Sequence, residues 1–201
     1  MSEGLSMKSP GKTREKLVSA AMELFAKKGF DKATVDEIVN RAGVAKGTFY
    51  LYFKSKDDLI KEIAVDAMPI AAFPSLQDPY VTVSYPTLRE FLLALGREFL
   101  EFYGKNHRRE ILFSLLAMRK RSKSLDLLYN ESCSELLRTG ARRIMVYTKV
   151  GFAQALVAFQ VFIGSLLHYL HAKECVGFSD EEYLNHLVDV VTSYLKLSAE
   201  I

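Results

Sequence analysis

Four times along this chain a Ser or Thr stands three residues ahead of a Glu or Asp, just where an apolar run of helical spacing begins. The pairs are Thr34 with Glu37, Ser55 with Asp58, Thr87 with Glu90, and Ser179 with Glu182. Each pair reads as a capping box. The hydroxyl accepts from a first-turn N–H, and the carboxylate reaches back to the N–H of the cap, so two otherwise open donors are satisfied. Each box therefore marks a helix start. Around these starts the apolar residues recur at spacings of three and four rather than two. Leu17, Ala21, Leu24 and Phe25 form a stripe on a helix from Thr13 to Lys28, closed by Gly29 and Phe30. Leu59, Ile60, Ile63, Ala64 and Ala67 follow the Ser55 cap, and Leu88, Phe91, Leu92, Leu95, Phe99, Phe102 and Tyr103 follow Thr87. Ile111, Leu112, Leu115 and Leu116 mark a helix from His107 to Arg121. A long helix runs from Leu125 to Tyr147, and Gly151 breaks the pattern. Tyr183, Leu184, Leu187, Val188, Val191, Tyr194 and Leu195 belong to the last helix. The only strand-like alternation is short, at Val81 to Tyr85. The pattern specifies an all-α chain.

The stretch from Thr34 to Lys56, TVDEIVNRAGVAKGTFYLYFKSK, carries the functional signal. Thr34 caps a short helix with Val35, Ile38, Val39 and Ala42 on one face. Gly43 stops it, because a tight turn there needs the left-handed conformation that glycine adopts at low cost. A second helix is expected from Ala45 to Phe53. Phe49 and Phe53, four apart, point to the core, and Lys46, Gly47, Thr48 and Tyr50 remain outside. A recognition helix needs this arrangement, since its N-terminal residues meet base edges in the major groove.

The pattern G-F-x-x-A-T-V-D-E-I-V-x-R-A-G-V-A-K-G-T-F-Y-x-Y-F-x-S-K-x-D-L, from Gly29 to Leu59, resembles the DNA-binding domain of TetR-type transcriptional regulators. The resemblance covers the first quarter to third of the chain. It implies an N-terminal three-helix helix-turn-helix domain with a linking helix over residues 1–68. It also implies a C-terminal helical ligand-binding and dimerisation domain over residues 69–201. Carried onto matching positions, it implies that Thr34 contacts phosphate through its hydroxyl and helix N-terminus. Val44, Ala45, Lys46, Gly47 and Thr48 then face the major groove, Tyr50 bonds a phosphate, and Lys54 and Lys56 neutralise phosphate. Tyr52 either joins them or packs against the next helix. The first turn of the helix after Ser55 suits a phosphate in its own right, because its N–H groups are open.

Composition agrees with this division. Residues 1–60 hold 11 Lys and Arg against 8 Asp and Glu, and residues 61–201 hold 16 against 16. The excess of three positive charges therefore lies where DNA phosphates would be met. Two cysteines, Cys133 and Cys175, without an apolar leader in the first ten residues, suit a reducing cytoplasm. Pro69, Pro74, Pro79 and Pro86 exclude a single helix over 69–86, which reads as an inter-domain connection. Val150 to Ala172 has no Asp, Glu, Lys or Arg and is long enough to span a bilayer. Gln154, Gln160, Ser165, His168 and His171 interrupt it, so it is read as a helix buried on all sides, as at a protein–protein interface, with no membrane as a partner.

One recognition helix reads only a few base pairs, so a homodimer on double-stranded DNA is expected. Its interface is placed on the last two helices: Ala155, Leu156, Phe159, Ile163, Leu184, Leu187, Val188 and Val191. Gly151, Ala155, Ala158 and Gly164 would let helices approach closely. The resemblance implies a small-molecule effector, often lipophilic, in the C-terminal domain, and an acyl-coenzyme A suits its aromatic surplus. Phe99, Phe102, Tyr103, Phe113, Met118, Tyr129, Met145, Phe159, Phe162 and Tyr169 are the expected lining. Either Arg119 to Lys123, or Arg138, Arg142 and Arg143, would meet the phosphates of such a ligand. His168, His171 and Cys175 share a helical face, with His186 on the last helix. Cys175 is expected beyond the helix end, so no metal is assigned. No nucleophile–base pair, glycine-rich phosphate loop or paired carboxylate points to an enzyme, and no cofactor is expected. The function expected is a ligand-responsive repressor. The alternative is an activating or architectural DNA binder without an effector.

Overall fold

The computed structural model describes residues 10–77 and 85–198, and every regular element among them is helical. Ten α-helices follow in chain order: α1 (Pro10–Lys28), α2 (Val35–Ala42), α3 (Lys46–Tyr52), α4 (Lys56–Ala67), α5 (Pro74–Gln77), α6 (Leu88–Tyr103), α7 (Arg108–Met118), α8 (Lys123–Tyr147), α9 (Phe152–Val176) and α10 (Asp180–Ser198). Short 3-10 turns lie at Pro69–Ala72 and Arg119–Arg121. The alternation at 81–85 falls, apart from Tyr85, outside the described residues.

Two capping boxes close completely. Glu37 N–H donates to Thr34 Oγ1 (3.3 Å) and Thr34 N–H donates to Glu37 Oε2 (2.9 Å). Ser179 and Glu182 repeat the pattern at 3.3 and 2.9 Å. At the other two the carboxylate acts differently. Glu90 N–H donates to Thr87 Oγ1, and the Thr87 hydroxyl donates back to the Glu90 carboxylate. The Asp58 side chain, one methylene shorter than Glu, bonds Lys54 N–H rather than the cap's own.

The chain divides into two compact units. The first comprises residues up to Ala67 together with Asn106–Leu125. Here α1 packs on α2, and α7 packs on both α1 and α4. Leu17, Ala21, Phe25, Ile38, Phe49, Leu59, Ile63, Ile111 and Leu112 form the core. Leu24, Val35, Ala42 and Leu116, expected on buried stripes, are only half-buried. The turn into α7 uses two successive left-handed residues, Asn106 and His107 (φ 54° and 57°). Both are residue types that tolerate this region better than most.

The second unit comprises Met68–Lys105 and Asp126–Ile201. Within it α10 packs on α6 and α9, and α6 also meets α9. Two glycines permit close approach: a Cβ on Gly96 would lie 2.3 Å from Leu184 Cδ2, and one on Gly140 would lie 2.1 Å from the Phe159 ring. Arg97 pairs with Glu181 and Arg89 with Asp189 along α6 and α10. The proline-rich segment, expected to be a connection with at most a short helical turn, forms two such turns and is in part core. Pro69, Ala72, Phe73 and Leu76 are buried, and Phe73 stacks on Phe99 with centroids 5.6 Å apart. Proline breaks the helix there without making the segment polar.

The structure also corrects the reading of α9. It runs to Val176, past Cys175, and stops at Gly177 in the left-handed conformation. It is long and apolar enough to cross a membrane, and within its own unit one side of it stays open, where the expected protein–protein contact would lie. Ala155, Phe159, Phe162 and Leu166 face the unit's core, while Val157, Gln160, Val161, Gly164 and His168 form an exposed stripe. Gly140→Ala should destabilise the chain by about 1–3 kcal/mol, the range for overpacking a filled core. The measurement is the denaturant midpoint at unchanged m-value. An unchanged midpoint would mean that the Phe159 ring moves aside freely.

Candidate nucleic-acid interface

The first unit holds α3 by its aromatic side. Phe49 is fully buried, Phe53 nearly so, and their rings lie 5.5 Å apart. The turn before α3 is set by Gly43 at φ 65°, ψ 41°. Its N–H donates to the Asn40 carbonyl, and Val44 N–H donates to that of Val39. This closes α2 and redirects the chain within three residues. No side chain caps α3 at Ala45, and its first turn holds no acidic residue.

Ala45, Lys46, Gly47, Tyr50 and Lys54 are exposed, and Val44, Thr48 and Tyr52 are half-buried. A Cβ on Gly47 would meet nothing within 4 Å, so the surface there is bare backbone. Tyr50 is 52% exposed and meets Phe49 edge-on. Its ring is thus positioned while about half of the residue stays open to solvent. Lys46 pairs with Asp36 at 2.8 Å, across from α2. The hydrogen bond to Asp36 raises the Lys46 pKa, so the ammonium stays charged at neutral pH.

Two expected phosphate contacts are already engaged. The Thr34 hydroxyl donates to Glu37 Oε2 (2.9 Å) while accepting from Glu37 N–H. Lys56 Nζ donates to the carbonyls of Phe30 (2.9 Å) and Ala33 (3.0 Å), with Asp31 at 3.5 Å. Lys56 therefore ties the start of α4 to the α1–α2 connection. Glu37 also pairs with Lys28. That hydrogen bond, followed by those from Thr34, lowers its pKa from 4.5 to about 2.

The charge of this unit is larger than a cut of the sequence suggests. Over residues 1–67 and 106–125 it holds 18 Lys and Arg against 11 Asp and Glu, an excess of seven. The rest of the chain holds 9 against 13. Residues 106–125 contribute 6 Lys and Arg and only Glu110 in opposition. The basic cluster Arg119 to Lys123, considered for an effector, thus belongs to the unit that carries α3. Sequence reasoning also missed Leu51 on α3, which is 81% exposed. Its position four residues after Gly47 could have found it.

The expected effector lining is not one cluster. Phe113 and Met118 lie on α7 in the first unit, and Met145 is exposed. Phe99, Tyr103, Phe159, Phe162 and Tyr169 are buried in the second unit. Phe102 packs edge-on to Tyr103, and Tyr129 is half-buried on α8. Tyr169 closes the α9–α10 turn: it stacks on Tyr183 at 3.9 Å, and its hydroxyl lies 2.9 Å from Asp180 and 3.1 Å from the Phe178 carbonyl. Burial and the Asp180 carboxylate push its pKa up to about 12.

Of the expected dimer residues, Ala155, Phe159, Ile163, Leu184, Leu187, Val188 and Val191 are buried within the unit, and Leu156 is half-buried. They pack α9, α10 and α6 against one another and are not a free surface. The apolar residues left outside are Phe152, Val157 and Val161 on α9, and Val190 and Tyr194 on α10. Among the described residues no three His, Cys, Asp or Glu come together as metal ligands.

The class these features define is a helix-turn-helix domain for double-stranded DNA, and comparison with known proteins is specific about which. The profile of the bacterial regulatory proteins of the tetR family matches residues 17–63. The HTH-type transcriptional regulator YvdT of Bacillus subtilis is 56% identical over 50 residues, 25% of this chain and 26% of that protein. The fatty acid metabolism regulator protein of the same organism is 40% identical over 52 residues, 26% of this chain and 27% of that protein. The match thus spans only about a quarter of the length of these curated relatives. In fold the chain is similar to Salmonella enterica GusR: TM-score 0.71 at 17% identity, over 94% of this chain and 98% of that one. Residues 17–63 are thus similar to the DNA-binding domain of the tetR-family regulatory proteins, and the chain shares its helical fold with GusR.

Lys56→Met should cost about 1–3 kcal/mol of stability, because half-buried carbonyls lose their donor. The dependence of DNA affinity on salt should stay the same. A slope of log K against log salt smaller by about 0.9 would instead make Lys56 a phosphate contact. Glu37 gives a pH prediction. Its folded pKa is depressed, so its contribution is fully present above about pH 4.5 and is lost as pH falls toward 2. In Glu37→Gln that acid-dependent loss should be smaller, read from thermal midpoints between pH 5 and pH 2.

Proposed function

We propose that this chain is a ligand-responsive, sequence-specific repressor that binds an inverted-repeat operator as a homodimer in the cytoplasm. The observation that carries the reading is α3. It is pinned by Phe49 and Phe53 on one side, presents Lys46, Gly47, Thr48 and Tyr50 on the other, and belongs to a unit with seven excess positive charges. Lys46 has the reach for guanine or phosphate once it leaves Asp36. Gly47 admits the DNA backbone closely, and the Tyr50 hydroxyl suits a phosphate.

One such helix recognises too few base pairs for useful specificity, and a two-fold dimer supplies a second. The surface that favours this assembly is the exposed stripe of Val157, Val161 and Gly164 on α9 beside Val190 and Tyr194 on α10. Gly164 is open, so a partner helix can come close. The effector is placed in the second unit, whose buried aromatic residues Phe99, Tyr103, Phe159 and Phe162 suit a lipophilic molecule such as an acyl chain. The relative that regulates fatty acid metabolism agrees with that choice through the DNA-binding domain alone. Release requires that the effector bind one conformation more tightly than the other.

Purified protein is incubated with genomic fragments at near-physiological salt, and the retained fragments are sequenced. One enriched inverted repeat is the expected result, and uniform retention of all fragments would overturn the reading. On that operator Tyr50→Phe should weaken binding to all sequences alike, while Thr48→Ala should also shift base preference. Val161→Asp with Val190→Asp should convert dimer to monomer in sedimentation and lower operator affinity by at least tenfold. A variant that remained dimeric would remove this stripe from the interface.

A further inference from the structure

Leu51 is the most exposed large apolar side chain among the described residues, at 81%. Its place on α3 is specific. A helix turns about 100° per residue, so Leu51 lies roughly 160° from the buried Phe49, and Gly47 lies roughly 160° from it on the other side. Both therefore sit on the outermost line of the helix, one turn apart. With Tyr50 they form an i, i+3, i+4 set on α3, the spacing by which one helix face lies along a groove, and Lys54 follows just beyond the helix end. Tyr50 and Lys54 are exposed beside them.

The chemistry of the pair narrows what this line can meet. A helical side chain leans toward the N-terminus of its helix, so Leu51 extends over the turn that begins at Gly47. Gly47 has no side chain to cover that turn, and the space around its Cβ position is empty. The leucine methyl groups are thus carried toward the base-reading end of α3 with nothing shielding them. Leucine neither donates nor accepts a hydrogen bond. It cannot read the donor and acceptor edges of bases, and it gains nothing from phosphate. The one apolar group a base presents in the major groove is the C5-methyl of thymine.

We propose that Leu51 is a specificity-determining residue of this interface and selects a thymine in each half-site by contact with its C5-methyl group. This rests on the reading of α3 as a recognition helix. It adds an apolar reader to a face otherwise made of cations, a hydroxyl and bare backbone. The leucine excludes water from the methyl, and a cytosine at the same place offers an amino group that Leu51 leaves unsatisfied.

The test uses the full chain and the operator recovered by fragment selection. Each thymine of one half-site is replaced in turn by deoxyuridine, which keeps its base pairing and lacks only the methyl. One thymine position, or two adjacent ones, should lose about fourfold in affinity, the value of one buried methyl group. Leu51→Ala should bind the thymine and uracil duplexes equally and accept cytosine there more readily, with its thermal midpoint unchanged. Two results would overturn the proposal while leaving DNA recognition by α3 intact: specific binding with no position sensitive to the methyl, or a sensitivity that persists in Leu51→Ala. Failure to bind any duplex would instead remove the recognition-helix reading itself, and this proposal with it.

Discussion

The ordering of α3 depends on the burial of two phenylalanine rings. A seven-residue helix has no stability of its own, because nucleation costs more than a turn and a half of hydrogen bonds return. Among its own residues α3 has Phe49 as its only buried side chain, with Phe53 at its C-cap. Those rings fasten it to a core built by α1, α2 and α4. Fully burying one such side chain contributes about 1.5–3 kcal/mol. That is enough to keep the helix ordered while the opposite face is left open. The outer face can therefore carry a bare glycine, a lysine and a bare leucine without weakening the helix. Anchor and reader are different residues on one short element.

Polar contacts around the anchor set direction more than strength. The pairs of Glu37 with Lys28, Arg41 with Glu23 and Lys46 with Asp36 are all solvent-exposed to a large degree. Exposed pairs contribute little to stability. Their value is geometric, since they hold α1 and α3 at fixed places beside α2. Lys56 differs, because it satisfies backbone carbonyls that the α1–α2 connection cannot pair with its own donors. A cation used in this way fixes the start of α4 relative to the cap at Thr34, and so aligns two helix starts beside α3.

Much of this was legible in the residues themselves. Capping boxes, glycine stops and apolar periodicity placed most helices within a few residues, and the Phe49–Phe53 spacing identified the buried side of α3. What escaped depended on partners distant in sequence. Nothing local shows that Lys56 will meet carbonyls 23 and 26 residues earlier. Nothing local shows whether Leu184 and Val188 pack within one chain or between two, since an apolar stripe carries no label for its partner. Phe73 looked like part of a linker because proline dominates its surroundings, yet it is core because an aromatic ring seeks burial whatever its neighbours. Leu51 was overlooked for the opposite reason: an apolar residue on an outer face breaks the pattern that the reading relies on.

The position of α7 has a consequence for how the two halves of the chain can influence each other. By packing it belongs with α1 and α4, and by sequence it lies between α6 and α8 of the second unit. The chain leaves the second unit at Lys105, forms α7, and returns at Asp126. Only the four residues from Gly104 to His107 separate α6 from α7, and only the 3-10 turn Arg119–Arg121 with Ser122 separates α7 from α8. Connections this short absorb little displacement. Because Ile111, Leu112 and Leu115 are buried in the first unit's core, moving α7 means repacking that core. Close-packed interiors respond to such a demand by switching between arrangements more readily than by deforming smoothly.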